Sequence, residues 1–340
     1  MWTKEELLRW QTDREFQLRQ VKKDGNNIKY IYFPLEDVQL EAVQQNGFSI
    51  KFIKNPSEYI QWEAVQQNGS TIRFIKNCSE KIQLKAVQQN GFAIKFIENP
   101  SEEIQLSAIK QSAFSIKYIH KPTEKAQFEA IKKDCDVIKR IKNPTKQMQL
   151  EAVKNNGESI RYIKNPTEEM CLESVSQKGS NIKYIHDPSE CVQLEAVIQY
   201  EENIQYITNP TEKVKLFCVN QFGLLIRHFH TDSKEIQLAA VKRDGLAIQF
   251  INNPSNSMKL EAVKQNGESI QYIENPTKQM QLEAVKQLSL NIQYIKEPCC
   301  YEIFETALNH CEKKDLFELV RFINIAKYPE LYEKICFMII

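Results

Sequence analysis

The chain has 340 residues, of which 42% are hydrophobic and 26% are charged, and this composition is ordinary for a soluble protein. Its formal net charge of +1 provides no overall field that would attract nucleic acid or a membrane surface. No apolar run is long enough to cross a bilayer, and Met1 to Glu6 lacks the apolar stretch of a signal peptide. Nine cysteines at unrelated positions indicate reduced thiols and a cytoplasmic location.

A 22-residue unit of the form QLEAVxQNGxSIKYIKNPSEEI recurs thirteen times, without insertion, over residues 17–302. We number its positions 1 to 22 and the repeats 1 to 13, so that repeat 1 begins at Gln17 and repeat 2 at Gln39. All nine glycines occupy position 9, and all but one of the twelve prolines occupy position 18. A fixed period of this size is typical of a stacked repeat array with an extended binding surface. The period therefore predicts one quasi-linear domain.

Residues 1–16 precede the first repeat and are expected to form a capping helix. Thr3 and Glu6 have the spacing of a capping box, and Leu7, Leu8 and Trp10 would form an apolar face. Residues 303–340 depart from the repeat into longer helical patterns, which predict capping helices at the other end. The apolar residues of that segment are Phe304, Leu316, Val320, Phe322 and Leu331.

Each repeat is predicted to contain two helices. In the run 99–102, asparagine would cap a first helix, proline would take its first turn, and Glu102 would reach back to the free amides. This helix would run for about twelve residues to the glycine, whose freedom at positive φ suits a C-terminal cap. A second helix of about two turns fits the run 158–164, where Ile160 and Ile163 lie three residues apart.

Neither helix can cover its apolar surface alone, so stacking of repeats must supply the core. Isoleucine occupies position 12 in every repeat and position 15 in every repeat except repeat 10. We predict that these two columns form a continuous core, in an all-α fold: an α-solenoid of thirteen two-helix repeats with helical caps. The recurring glutamine at position 1 is expected to bond the backbone or the next repeat.

Position 13 points away from the predicted core and carries a row of cations. This row comprises Lys29, Lys51, Arg73, Lys95, Lys117, Lys139, Arg161, Lys183 and Arg227, with glutamine in the other four repeats. Position 14 beside it is aromatic in eleven repeats. Interleaved cations and aromatics can hold single-stranded nucleic acid. The simpler interpretation is that the aromatics pack between successive second helices and that the lysines complement helix ends and nearby glutamates.

Position 10 varies most along the chain, which indicates a solvent-facing site where partner choice could be encoded. Phe48, Phe92 and Phe114 each lie three residues before a lysine, and such aromatic and cationic surfaces suit a protein partner. The alternative is that these rings only fold back over their own repeat.

Catalytic and metal sites are not expected. Cys299, Cys300, His310 and Cys311 match no usual zinc spacing. His228, His230 and Asp232 lie in the most divergent repeat and are interpreted as local drift. The sequence contains no glycine-rich phosphate loop, HExxH or GxSxG motif, so we expect no enzyme, no cofactor and no small-molecule substrate.

The units 39–58 and 149–168, QLEAVQQNGFSIKFIKNPSE and QLEAVKNNGESIRYIKNPTE, resemble the short helical repeat family named domain of unknown function 4116. That family is seen in giant DNA viruses and in some protists and bacteria. The resemblance implies a helical repeat domain and carries no catalytic residues. A viral chain would act in the host cytoplasm.

Three hypotheses for function follow. The first is a scaffold that binds a protein partner through the exposed ridge of the second helices, with candidate contacts at Phe48, Lys51, Arg73, Phe92, Lys95, Phe114, Lys117, Lys139, Arg161 and Lys183. The second is a binder of single-stranded nucleic acid, RNA above all, along the basic and aromatic rows. The third is a purely architectural, self-assembling rod.

Overall fold

The computed structural model describes residues 3–296, 298, 300–323 and 328–339, and these contain helices and no strand. The chain divides into two compact units, Met1–Pro166 and Thr167–Ile340. In both, an α-helix of ten residues alternates with a 3-10 helix of six residues. The predicted all-α repeat solenoid is confirmed. Within the described residues, no helix has the length and apolar character needed to traverse a bilayer.

The N-terminal unit opens with an α-helix at Lys4–Thr12. Its first helices are Arg14–Lys23, Glu36–Gln45, Glu58–Gln67, Glu80–Gln89, Glu102–Gln111, Glu124–Lys133 and Lys146–Asn155. Its second helices are Gly25–Tyr30, Gly47–Phe52, Gly69–Phe74, Gly91–Phe96, Ala113–Tyr118, Cys135–Arg140 and Gly157–Tyr162.

The C-terminal unit repeats the same alternation. Its first helices are Glu168–Gln177, Glu190–Gln199, Glu212–Gln221, Lys234–Arg243, Asn256–Gln265 and Lys278–Gln287. Its second helices are Gly179–Tyr184, Glu201–Tyr206, Gly223–His228, Gly245–Phe250, Gly267–Tyr272 and Ser289–Tyr294. After the repeats come Tyr301–Asn309, the 3-10 turn Lys313–Asp315, Leu316–Val320 and Pro329–Ile339.

The first helix begins two residues later than predicted. In repeat 2 its N-cap is Ser57, whose hydroxyl accepts a hydrogen bond from the Ile60 amide at 3.4 Å. The predicted asparagine cap is wrong: Asn55 has φ of 51°, a left-handed conformation that asparagine tolerates. Asparagine therefore turns the chain, proline follows with its fixed φ, and serine or threonine at position 19 caps the helix.

The predicted role of glycine as a left-handed helix cap is also wrong. No described glycine has a positive φ, and Gly91 is the first residue of its second helix. Glycine is needed there because the next repeat approaches closely: a Cβ on Gly91 would lie 2.6 Å from the carbonyl oxygen of Ala108. The residue before the glycine ends the first helix in an extended conformation, as at Asn46 with φ of −152°.

The second helix has the predicted two turns but is a 3-10 helix. The residue at position 8 is its N-cap: the Asn46 side chain accepts a hydrogen bond from the Phe48 amide at 3.1 Å. Three residues per turn place positions 12 and 15 on the same side. Ile50 and Ile53 are accordingly 1% and 7% exposed. The two predicted isoleucine columns form the core within each unit.

Glutamines at positions 1 and 7 satisfy backbone groups that the helix ends leave unpaired. As predicted for position 1, Gln61 Nε2 donates to the Pro56 carbonyl at 2.9 Å. Position 7 was not predicted to have a role. Gln199 accepts from the Gly179 amide at 2.8 Å and donates to the Val175 carbonyl at 2.8 Å, both in the preceding repeat. This side chain bridges the end of one first helix and the start of the second helix beside it.

The terminal helix contains the predicted capping box. Glu6 N donates to Thr3 Oγ1 at 3.1 Å, and Thr3 N donates to Glu6 Oε2 at 2.8 Å, which lowers the pKa of the Glu6 carboxyl. Trp10 is buried with its ring centroid 5.2 Å from that of Phe16. The prediction that Leu7 and Leu8 also form an apolar packing face is wrong, because that side of the helix is exposed to solvent. Leu7 and Leu8 are 53% and 62% exposed.

The segment after the repeats buries Phe304, Leu316 and Leu331, as a cap over the last repeat requires. Val320 packs against the same cluster. Phe322 differs from the expectation, since it lies beyond the end of its short helix and is 41% exposed.

Candidate binding ridge on the second helices

Position 13 is exposed in every second helix, and in most repeats its cation folds over the aromatic ring of position 14. We define the ridge as positions 13 and 14 of repeats 1 to 7, in the N-terminal unit. Except in repeat 6, each cation lies within cation–π range of the ring beside it. The distances to the ring centroid are 4.8 Å for Lys29 over Tyr30, 4.7 Å for Lys51 over Phe52, 4.5 Å for Arg73 over Phe74, 4.7 Å for Lys95 over Phe96, 4.6 Å for Lys117 over Tyr118 and 4.7 Å for Arg161 over Tyr162.

Repeat 6 keeps this arrangement by using its neighbours. Its position 14 is Arg140, so Lys139 has no ring beside it and lies 5.2 Å from the ring of Tyr162 in the next repeat. Lys139 also pairs with Asp136 at 3.3 Å. The Arg140 guanidinium lies 5.6 Å from the ring of Phe114 in the preceding repeat. Ring and cation are therefore matched between repeats where one repeat lacks its own.

Five of the ridge cations have no carboxylate partner. Among the described residues, no Asp or Glu oxygen lies within 4.0 Å of Lys29, Lys51, Arg73, Lys95 or Lys117. Their rings are also partly open, with Phe52 and Tyr118 each 37% exposed. These cations lie on a ring, and all five residues are exposed to solvent.

Phe48 at position 10 is half-buried and belongs to the packing between repeats. Its ring centroid lies 6.2 Å from that of Phe74, edge to face, and the Arg73 guanidinium lies 5.6 Å from it. The cation that Phe48 contacts is thus Arg73 of the next repeat and not Lys51, three residues along. The ring neither stands free nor folds back over its own repeat.

Phe92 and Phe114 follow the same geometry. Phe92 is 40% exposed, and its ring lies 5.9 Å from that of Tyr118 in the next repeat. Phe114 is half-buried beneath Arg140. Position 10 therefore links neighbouring second helices, while position 13 is exposed in every repeat.

Position 16 adds further cations that the sequence reading did not consider. Position 16 lies two residues beyond the end of the second helix, after the extended residue of position 15. Four repeats of the N-terminal unit carry lysine there, and all four side chains are exposed: Lys54, Lys76, Lys142 and Lys164. Their recurrence at one position of the repeat was visible in the sequence.

The C-terminal unit lacks most of this arrangement. Lys183 lies 4.9 Å from the ring of Tyr184, as in the ridge. Arg227, however, pairs with Glu202 at 3.3 Å. The other four second helices of the unit carry glutamine at position 13 beside an aromatic residue: Gln205, Gln249, Gln271 and Gln293.

Repeat 10 is the most divergent repeat and borders a cavity of about 310 Å³, lined in part by Phe222, Leu224 and Arg243. His228 lies 3.4 Å from a Glu202 oxygen. His230 is exposed, 3.5 Å from Asp232. Phe222 replaces the usual capping residue of position 8 and is 59% exposed, and its second helix has no side-chain cap.

No group of three His, Cys, Asp or Glu residues suited to a metal occurs in the described part of the chain. Cys299 lies outside the described residues. His310 Nδ1 is 2.9 Å from the Thr306 carbonyl, within its own helical turn. The described cysteines are free thiols; burial, with the nearby Glu201 charge, raises the pKa of Cys218 to about 12.

The likeness to known proteins lies in the repeat itself. Residues 233–278 match the family model of a domain of unknown function, DUF4116. This segment begins at Ser233, the cap of one first helix, and ends at Lys278, the first residue of the first helix two repeats later. The match therefore spans two repeats and confirms the resemblance there. Comparisons with curated proteins and with solved structures returned no match.

Proposed function

We propose that this chain is a non-enzymatic helical-repeat scaffold that binds a protein partner along the ridge. The observation that supports the proposal is the row of five cations in successive repeats that have no carboxylate partner among the described residues, each lying on a partly exposed ring. Aromatic and arginine side chains are enriched in protein interfaces, and a row of lysines attracts an acidic partner. Folding of the repeat does not require these cations, because four repeats of the C-terminal unit carry glutamine in their place.

This glutamine replacement defines the test. The ridge variant K51Q/R73Q/K95Q/K117Q copies at four positions what repeats 9, 11, 12 and 13 already contain. A matched control, K81Q/K85Q/K110Q/K132Q, removes four lysines from first helices of the same unit. Three of these also lie near rings: Lys81 and Lys85 over Trp62, and Lys132 over Phe128.

Wild type and both variants would serve as baits in extracts of the source organism, with and without nuclease treatment. A protein retained by wild type and the control, and lost from the ridge variant, is the expected result. Equal retention by all three baits would show that the ridge is not the binding surface. Retention that disappears with nuclease treatment would favour the nucleic-acid hypothesis instead.

A further inference from the structure

The positive charge of the N-terminal unit is concentrated on its second helices. Over positions 9 to 17 of repeats 1 to 7, the sequence has 13 Lys and Arg against 3 Asp and Glu. The other residues of 1–166 include 14 Lys and Arg and 17 Asp and Glu. In repeats 8 to 13, positions 9 to 17 include 3 Lys and Arg and 6 Asp and Glu. The near-neutral total therefore hides one strongly basic surface, which attracts a negatively charged ligand.

The rings on this surface are poorly placed for stacking with bases. Lys51, Lys95 and Lys117 each cover one face of the neighbouring ring at 4.6 to 4.7 Å from its centroid. A base that stacked on that face would have to displace the cation, and stacking is a main source of affinity for single strands. A carboxylate needs no ring face. It can bond the outward N–H groups while the cation stays in place.

The spacing of the cations fits one kind of polypeptide. Successive second helices pack against each other, so the cations recur about every 8 to 10 Å, the usual separation of packed helices. A polyproline II segment has three residues per turn and rises about 9 Å per turn. Acidic residues at every third position of such a segment would face one cation per repeat.

We propose that the partner, whose existence rests on the proposed function, contributes an extended acidic segment with Asp or Glu at every third residue. This segment lies along the ridge from Lys29 to Lys117, with one carboxylate per repeat. The segment's polyproline II conformation costs little ordering entropy, because such chains are already extended. The second helices of repeats 9 to 13, with glutamine at position 13 in all but repeat 10, do not bind it.

The test uses three fluorescein-labelled probes and fluorescence anisotropy with the full chain. The first is a peptide of six Glu-Pro-Pro triplets. The second has the same composition but places its six glutamates consecutively. The third is a single-stranded oligouridylate with six phosphates. The chain should bind the periodic peptide more tightly than either of the others. The ridge variant should lose about tenfold or more in affinity for it, since four exposed ion pairs are removed, while the first-helix control should stay near wild type.

Equal affinity for the clustered peptide would refute the threefold register, and tighter binding of oligouridylate would refute the choice of a polypeptide. Absence of measurable binding to the periodic peptide would refute the acidic segment altogether. The bait experiment separates this failure from failure of the proposed function. If a protein is still retained by wild type and lost from the ridge variant, the scaffold stands and only the acidic segment is rejected.

Discussion

The bridging glutamine at position 7 makes a sharp prediction for Gln199→Ala. This change leaves the Gly179 amide, the first of its 3-10 helix, without its acceptor at 2.8 Å. It also frees the Val175 carbonyl, but water can reach the helix end and replace that bond in part. An unsatisfied buried amide costs about 1–3 kcal/mol, so we expect a local loss of about 2 kcal/mol. Amide exchange at Gly179 should then accelerate about 30-fold, as measured by native-state hydrogen exchange.

Gln111 provides the matched control. It occupies the same position in repeat 5 but is exposed, and its side chain makes no hydrogen bond. Gln111→Ala keeps the Cβ that contacts Gly91, so exchange at the Gly91 amide should stay within about twofold of wild type, as for an ordinary surface substitution. Unchanged exchange at Gly179 in Gln199→Ala, or an equal acceleration at Gly91 in Gln111→Ala, would refute this role of the side chain.

Three further outcomes are expected. Gly91→Ala should destabilise the fold by about 1–3 kcal/mol, because the added methyl group overpacks against the next repeat. Gly47→Ala should cost less, because its new Cβ would lie 3.0 Å from the nearest atom. Urea unfolding of the two variants measures the difference. Phe48→Ser should lower the free energy of unfolding by about 1–3 kcal/mol, because it removes a half-buried ring and its aromatic contact. An unchanged unfolding midpoint would show that this ring does not contribute to packing. At pH 8.5, iodoacetamide should label exposed Cys191 in the native chain and buried Cys218 only after unfolding.

The raised thiol pKa of Cys218 also has a consequence for stability. Its folded pKa, about 12, lies above the ordinary value of 9.0. Between these values the unfolded chain releases the proton and the folded chain keeps it, so the contribution is intact below pH 9 and is lost as pH rises toward 12. Cys218→Ala should flatten this part of the pH dependence of unfolding, and an identical slope in the variant would contradict the assignment.

The sequence predicted those parts of the fold that depend on which residues must be buried. The columns of Ile50 and Ile53 recur with the period, and burial of apolar surface leaves few alternatives to stacking. The helix starts were misplaced because both Asn55 and Ser57 are good caps, and only the backbone shows that asparagine turns the chain. The role of Gly91 depends on the approach of the next repeat, which no local pattern reveals.

The candidate site was predictable in part. Outward cations at position 13 follow from the burial of Ile50 and its equivalents, whichever helix type is assumed. The pairing of rings with cations was not predictable, because it depends on contacts between repeats. Phe48 meets Arg73 one repeat later, and Lys139 crosses to Tyr162.

The most direct test of the ridge as the binding surface is a cross-linking map. A periodic Glu-Pro-Pro peptide carrying a photoreactive group would be irradiated with the full chain, and the modified residues would be located by mass spectrometry. The account predicts adducts in second helices of the N-terminal unit, recurring at intervals of 22 residues near Lys51, Arg73, Lys95 and Lys117. Adducts confined to the first helices of that unit, or to residues 201–296, would contradict it.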